Sequence, residues 1–248
     1  MILKDNERLE EVNDSLKLIQ RGDGLTFGTD ALLLAGYITR GYNYALELGG
    51  GTGIVSMLLS ARGKARSIDC LEIQPEYAEL IDRNANLNGL GDRIRAIECD
   101  VREFKPEKEY DLCFSNPPYM KCDSGKRNVS DKKNIARHEV FGGIEDFCLT
   151  AAKALKYGGI FACVYRTDRL AELFSAMRAS GLEPKRMTFV HADTATPPSV
   201  VLVEGKRGAK AGLRVTSPLI IYKEGSRDYT EDMNYIMECG SFPDKYRI

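Results

Sequence analysis

The chain has 248 residues, of which 43% are hydrophobic and 29% charged, and its formal net charge is −1. That length and balance predict one α/β domain with small additions, spanning 1–248. No apolar run is long enough to cross a membrane, and the near-neutral charge neither requires nor forbids a polyanionic partner. Seven cysteines without a CxxC pair read as reduced thiols in a cytoplasmic protein, and the N-terminus lacks a signal-peptide pattern. With only His138 and His191 as histidines, no metal centre is expected.

In chain order, Leu16–Gln20 and Leu25–Phe27 read as a hairpin through Arg21-Gly22-Asp23-Gly24, followed by a helix capped at Thr29-Asp30. Strands are expected at Tyr44–Leu48, Ser67–Glu72, Ile94–Cys99, Tyr110–Ser115, Ile160–Tyr165, Arg186–His191 and Val200–Glu204. Between them lie helical patterns at Ile54–Ala61, Gln74–Asn88, Ile144–Leu155 and Arg169–Ser180. Asn88-Gly89, Tyr157-Gly158-Gly159 and Ser180-Gly181 read as helix ends. The tail adds a strand-like run, Leu219–Tyr222, and a polar helix after Thr230. The alternation predicts a mostly parallel sheet covered on both faces. Its core spans 44–205, between extensions 1–43 and 206–248.

Strand Tyr44–Leu48 feeds the loop Gly49-Gly50-Gly51-Thr52-Gly53 and then a helix. Such a loop lets backbone approach a ligand where a Cβ would clash, although its GxGxG spacing is not the dinucleotide fingerprint. Three acids accompany it. Glu47 enters the loop and suits an amine-bearing ligand, Glu72 ends the next strand and suits ribose hydroxyls, and Asp100 ends the third and suits an adenine amine. A ligand with an amino-acid end, a ribose and an adenine is S-adenosylmethionine.

After the fourth strand comes Asn116-Pro117-Pro118-Tyr119. Two prolines end the strand, hold Asn116 extended and leave the Pro117 carbonyl without a ladder partner. An amide, a free carbonyl and an aromatic ring therefore converge at a strand's carboxyl end, where open α/β sheets bind ligands. Taken alone, the tetrapeptide is equally a strand-ending turn.

Together, Glu47 through Gly53, Glu72, Asp100 and Asn116 through Tyr119 resemble the ordered motifs of class I amino-methyltransferases with an NPPY motif. The resemblance spans roughly 44–204. It implies a Rossmann-like three-layer fold whose seven-stranded, mostly parallel sheet ends in an antiparallel strand, here Val200–Glu204, with the N-terminal hairpin and helix as an extension. It also implies that Glu47, Gly49, Gly51, Gly53, Glu72, Ile73, Asp100, Val101 and Asn116 bind S-adenosylmethionine. Asn116, Pro117 and Tyr119 would be catalytic, accepting hydrogen bonds from an –NH2 group and stacking on a planar substrate.

The motif itself does not choose among adenine, guanine and glutamine acceptors. No target-recognition block of the DNA enzymes is present. Residues 1–43 read as a hairpin and helix rather than the helical domain of release-factor enzymes, and the length leaves no room for the duplicated domain of rRNA guanine enzymes. Thr29-Asp30-Ala31, Ala136-Arg137-His138-Glu139 and the compact tail resemble small bacterial tRNA adenine-N6 methyltransferases, which act next to the anticodon, notably in a valine tRNA. The partner implied is tRNA, with rRNA guanine, release-factor glutamine or a non-catalytic RNA-binding role as alternatives. Substrate contacts are expected from Tyr119, Lys121, Lys132, Lys133 and Arg137, on a basic loop suited to phosphates. Arg166, at a strand end, either touches RNA or pairs with Asp168, and both histidines read as structural. A second basic run, Lys206 to Arg214, is equally an RNA contact or a solvated loop. The sequence leaves monomer or homodimer undetermined.

Overall fold

The computed structural model describes residues 3–22, 28–117 and 142–247. Its central sheet is built from parallel strands β3 (Tyr42–Leu48), β4 (Ala65–Glu72), β5 (Ile94–Glu98), β6 (Tyr110–Ser115), β7 (Leu155–Arg166) and β8 (Leu182–His191), with the antiparallel β9 (Val200–Arg207) between β7 and β8. The resulting core order is β5-β4-β3-β6-β7-β9-β8. Parallel neighbours need crossover connections, whereas β9 returns from β8 through a short loop and so runs backwards. Two short strands, β10 (Arg214–Val215) and β11 (Leu219–Ile220), add to the outer side of β8. Among the described residues the sheet thus has nine strands rather than the seven expected, the tail supplying the extra pair.

Strand alternation sorts the core into two layers. Ala45, Cys70, Leu112 and Phe114 face a layer formed by α1 (Thr29–Tyr37), α2 (Ile54–Ala61), α3 (Pro75–Leu87) and α6 (Glu231–Cys239). Leu46, Leu48, Leu71 and Cys113 face α4 (Ile144–Ala154) and α5 (Leu170–Ala179) on the other side. Leu112, Cys113 and Phe114 are consecutive and all fully buried, as a strand covered on both faces requires.

Three local expectations change. The hairpin pairs β1 (Glu7–Asn13) with β2 (Leu16–Arg21), one segment earlier than expected, and turns where the Asn13 side chain accepts from the Ser15 N–H. The glutamates of β1 hide its alternation, and Leu25–Phe27 lie outside the described residues. Gly28 rather than Thr29 or Asp30 occupies the N-cap of α1, leaving Asp30 in the first turn, where the helix dipole favours an acid. Gly158 does not end a helix: α4 stops at Ala154 and β7 begins at once, with Gly158 (φ +78°) inside that strand. By contrast, Gly89 and Gly181 follow helix ends in the left-handed conformation expected of them.

Candidate active site

The carboxyl ends of β3, β4, β5, β6 and β7 all lie on one edge of the sheet, because these strands are parallel. Chain order reverses between β3 and β6, which pair Glu47 with Phe114. Two residues further on, Gly49 and Asn116 leave the sheet at the same level, on either side of this switch point. In open α/β sheets the crevice at such a point is where ligands bind. The Ser115 hydroxyl donates to the Leu48 carbonyl at 2.7 Å, tying the two exits together. Asn116 is half-buried and Pro117 buried.

The glycine loop is closed beneath and open above. Gly49, Gly51 and Gly53 take φ of +73°, +55° and +79°, a region that side chains disfavour. A Cβ at Gly50 would fall 2.3 Å from the Cys70 sulfur, so the underside packs too tightly for any other residue. At Gly51 nothing lies within 4 Å of that position, leaving room for a ligand. The N–H groups of Gly49 and Gly50 both donate to the Leu71 carbonyl, at 3.0 and 2.9 Å.

Glu72 ends β4 at the loop's rim. Its Oε2 accepts from the Gly51 N–H at 2.8 Å, and its Oε1 accepts from the Gln74 N–H at 3.0 Å and the Gln74 side-chain amide at 3.5 Å. Oε2 retains a lone pair, and the long side-chain amide bond on Oε1 is readily exchanged, so hydroxyl donors can be accepted there. Asp100, two residues beyond β5, holds the Arg102 guanidinium in a fork and accepts the Arg102 backbone N–H at 2.8 Å. That pairing keeps the Asp100 carboxyl below its ordinary range. Ile73 is half-buried beside Glu72; Val101 is buried, and its carbonyl accepts the Thr150 hydroxyl at 2.7 Å.

Glu47 departs from the expectation that it faces a ligand. It shares the parity of Ala45, so its side chain points under α2 rather than into the crevice. It is 2% exposed and accepts hydrogen bonds from the Ser56 hydroxyl and, at 3.1 Å, the Cys70 thiol. Burial pushes its carboxyl up to about 7, against the opposing effect of those bonds. Burial also raises the Cys70 thiol. Neither Ser56 nor Cys70 stood out in the sequence, although their signal was present: Glu47 alternates in register with buried Ala45, and Cys70 is its neighbour across the β3–β4 ladder.

The substrate-side expectations divide. Arg166 ends β7 on the crevice edge and pairs with Asp168 at 2.6 Å, the second of its two readings. His191 donates from Nδ1 to the Thr196 carbonyl at 2.8 Å, a loop-holding contact. Tyr119, Lys121, Lys132, Lys133, Arg137 and His138 lie outside the described residues. Because β9 runs backwards, the basic segment after it emerges at the opposite edge of the sheet, and Arg207 there bonds the Leu155 carbonyl. Among the described residues no helix is long and apolar enough to span a membrane, and no group of three or more His, Cys, Asp or Glu could hold a metal ion.

Comparison with known proteins places this geometry. The family profile of the TRM5/TYW2 methyltransferase domain matches residues 39–140. The tRNA1(Val) (adenine(37)-N6)-methyltransferase of Phocaeicola vulgatus is 30% identical over 185 residues, covering 72% of this chain and 76% of the relative. The crystal structure of a predicted O-methyltransferase, Atu636 from Agrobacterium tumefaciens, superposes with a TM-score of 0.69 at 25% identity, covering 86% of this chain and 98% of that one. The structure of M. jannaschii TYW2 in complex with AdoMet shares the fold at a TM-score of 0.56 and 13% identity, covering 83% and 88%.

Proposed function

The chain belongs to the tRNA1(Val) (adenine(37)-N6)-methyltransferase family, and from that premise we propose that it transfers a methyl group from S-adenosylmethionine to the N6 amine of an adenine in tRNA. The observation that carries the reading is the pair of exits at the switch point: an open glycine loop on one side and Asn116-Pro117 on the other. The residues fit the cofactor. Gly51 leaves space above the loop, and Glu72 keeps acceptor capacity on Oε2, with only the long Gln74 amide bond to displace on Oε1, for a ribose. Asp100 and Val101, on the far side of Glu72, border the position of an adenine. Glu47 acts from beneath, through Ser56 and Cys70, and not by touching the ligand.

When bound, S-adenosylmethionine supplies an electrophilic methyl group on a sulfonium. The chain's own part is to present the acceptor. The Asn116 side-chain oxygen and the Pro117 carbonyl accept the two hydrogens of the amine, aim its lone pair along the transfer axis and favour a pyramidal nitrogen. As positive charge appears on that nitrogen, the two fixed dipoles stabilise it, and orientation contributes much of the remaining rate. The product ammonium is acidic enough to lose its proton to water, so no base is needed before attack. Tyr119 stacks on the adenine, which a folded RNA must first turn out of its own stack. Lys121, Lys132, Lys133 and Arg137 hold phosphates. These roles, and a cytoplasmic location alongside tRNA, are part of the proposal.

The test is incubation with labelled S-adenosylmethionine and, separately, tRNA, rRNA, DNA or a release factor. Label in tRNA recovered as N6-methyladenosine is the expected result. Label in guanine or glutamine would overturn the acceptor, and no transfer to any of them would overturn the activity.

A further inference from the structure

Two asparagines four residues apart, Asn84 on α3 and Asn88 at its C-cap, face the N-terminal hairpin. Asn88 accepts from the Lys17 N–H at 2.9 Å and donates to the Lys17 carbonyl at 2.7 Å. Asn84 accepts from the Ile19 N–H at 2.7 Å and donates to the Ile19 carbonyl at 3.1 Å. Alternate residues of a strand present their backbone groups about 6.8 Å apart, and four helical residues rise about 6 Å. Two carboxamides at that spacing therefore serve β2 as a neighbouring strand would.

Asn84 does something Asn88 does not. Its second amide hydrogen reaches the carbonyl of Thr52, in the glycine loop, at 3.1 Å. The side chain is fully buried, and both hydrogens and the oxygen are engaged. Elsewhere the loop is held from β4: Leu71 takes the N–H groups of Gly49 and Gly50, and Glu72 takes that of Gly51. The tie at Thr52 comes instead from the hairpin side. Left-handed glycines lose their conformation readily unless such ties hold them.

We infer that Asn84 is a positioning residue for S-adenosylmethionine: its carboxamide couples the N-terminal hairpin to the glycine loop and holds the loop in the conformation that binds the cofactor. The inference rests on the loop being the cofactor site. It assigns the hairpin a part in cofactor affinity rather than in RNA contact. Coupling between two sites is reciprocal, so cofactor in the crevice must also tighten the Ile19 pairing.

Calorimetric titration of S-adenosylmethionine into the wild type, Asn84→Ala and Asn88→Ala separates this role from general support of the hairpin. Both variants lose hairpin pairing, but only Asn84→Ala loses the Thr52 tie. Its Kd for S-adenosylmethionine should rise about tenfold, the scale of one hydrogen bond. In Asn88→Ala it should stay within about twofold, with KM for tRNA unchanged in both. Equal shifts in the two variants, or none in Asn84→Ala, would overturn the inference. Hydrogen exchange on the wild type covers the case in which Asn84→Ala does not fold: S-adenosylmethionine should slow exchange of the Ile19 amide, and an unchanged rate would overturn the coupling. Failure of the wild type to bind S-adenosylmethionine would instead overturn the cofactor reading from which the inference starts.

Discussion

The floor and the rim of the crevice both carry acids from strand ends, and their partners differ in kind. Beneath the glycine loop, Glu47 is sealed between β3 and α2 with a hydroxyl and a thiol as its partners. On the rim, Glu72 is also buried but bonds two backbone N–H groups of the loop and its flank with a lone pair free on Oε2, and Asp100 sits partly exposed in a fork with Arg102. Neighbouring strands thus use the same side chain for different purposes. Strand parity sends Glu47 inward, while Glu72 is the last residue of its strand and bends to the loop. The floor shapes the loop, and the rim is left to meet the ligand.

The largest effect should come from the rim facing the acceptor. Asn116→Ala removes a preorganised dipole at the reacting nitrogen and should lower kcat by roughly 10²–10³-fold. Its Kd for S-adenosylmethionine should stay within a few-fold of wild type. Near-normal turnover would take Asn116 out of the chemistry.

Next comes Glu72→Ala. Losing charge-assisted bonds to two hydroxyls should weaken S-adenosylmethionine binding by about 10- to 100-fold, with kcat at saturating cofactor largely kept. A binding loss no larger than that of Glu47→Gln would erase the distinction between rim and floor.

Glu47→Gln should show itself in stability against pH. In the folded protein the Glu47 carboxyl is raised from its ordinary 4.5 to about 7 by burial. Between those values the folded state keeps a proton that the unfolded chain has released, so stability falls as pH rises through this window. For this one group the fall is on the order of 3 kcal/mol. The glutamine variant should flatten the corresponding decline in Tm by several degrees. Parallel Tm curves for the two proteins from pH 4.5 to 7 would show that Glu47 does not titrate there.

The smallest effect lies on the substrate side. Neutralising Lys132 and Lys133 should raise KM for tRNA more than it lowers kcat. It should also reduce the slope of log KM against log salt by about one for each lysine that contacts a phosphate. Unchanged KM and slope would remove this segment from the RNA interface.

Much of this was legible locally. Tyr110–Ser115 and Ile54–Ala61 are found with the bounds that their apolar runs predict, because such patterns need no knowledge of distant contacts. Pro75 opening α3 and Gly89 closing it are equally local signals. The pairing of β1 was not legible, since four of its seven residues are charged and it is held by partners far away in sequence. Arg83 of α3 meets Glu7 at 2.5 Å, and no local pattern announces that.

By itself the sequence determined the order and kind of the elements and the edge at which the site forms. Hydrophobic period, prolines and glycines act within a few residues, and parallel strands bring all their carboxyl ends to one side. Only the tertiary structure decided which face each acid meets, which segment β2 pairs with, and where the basic run after β9 emerges. Those outcomes depend on which helix covers which face of the sheet, on partners tens of residues away, and on one strand's direction. Asn84 joins both kinds: its place on α3 is local, while its contacts with Ile19 and Thr52 exist only once the hairpin, helix and loop have packed together.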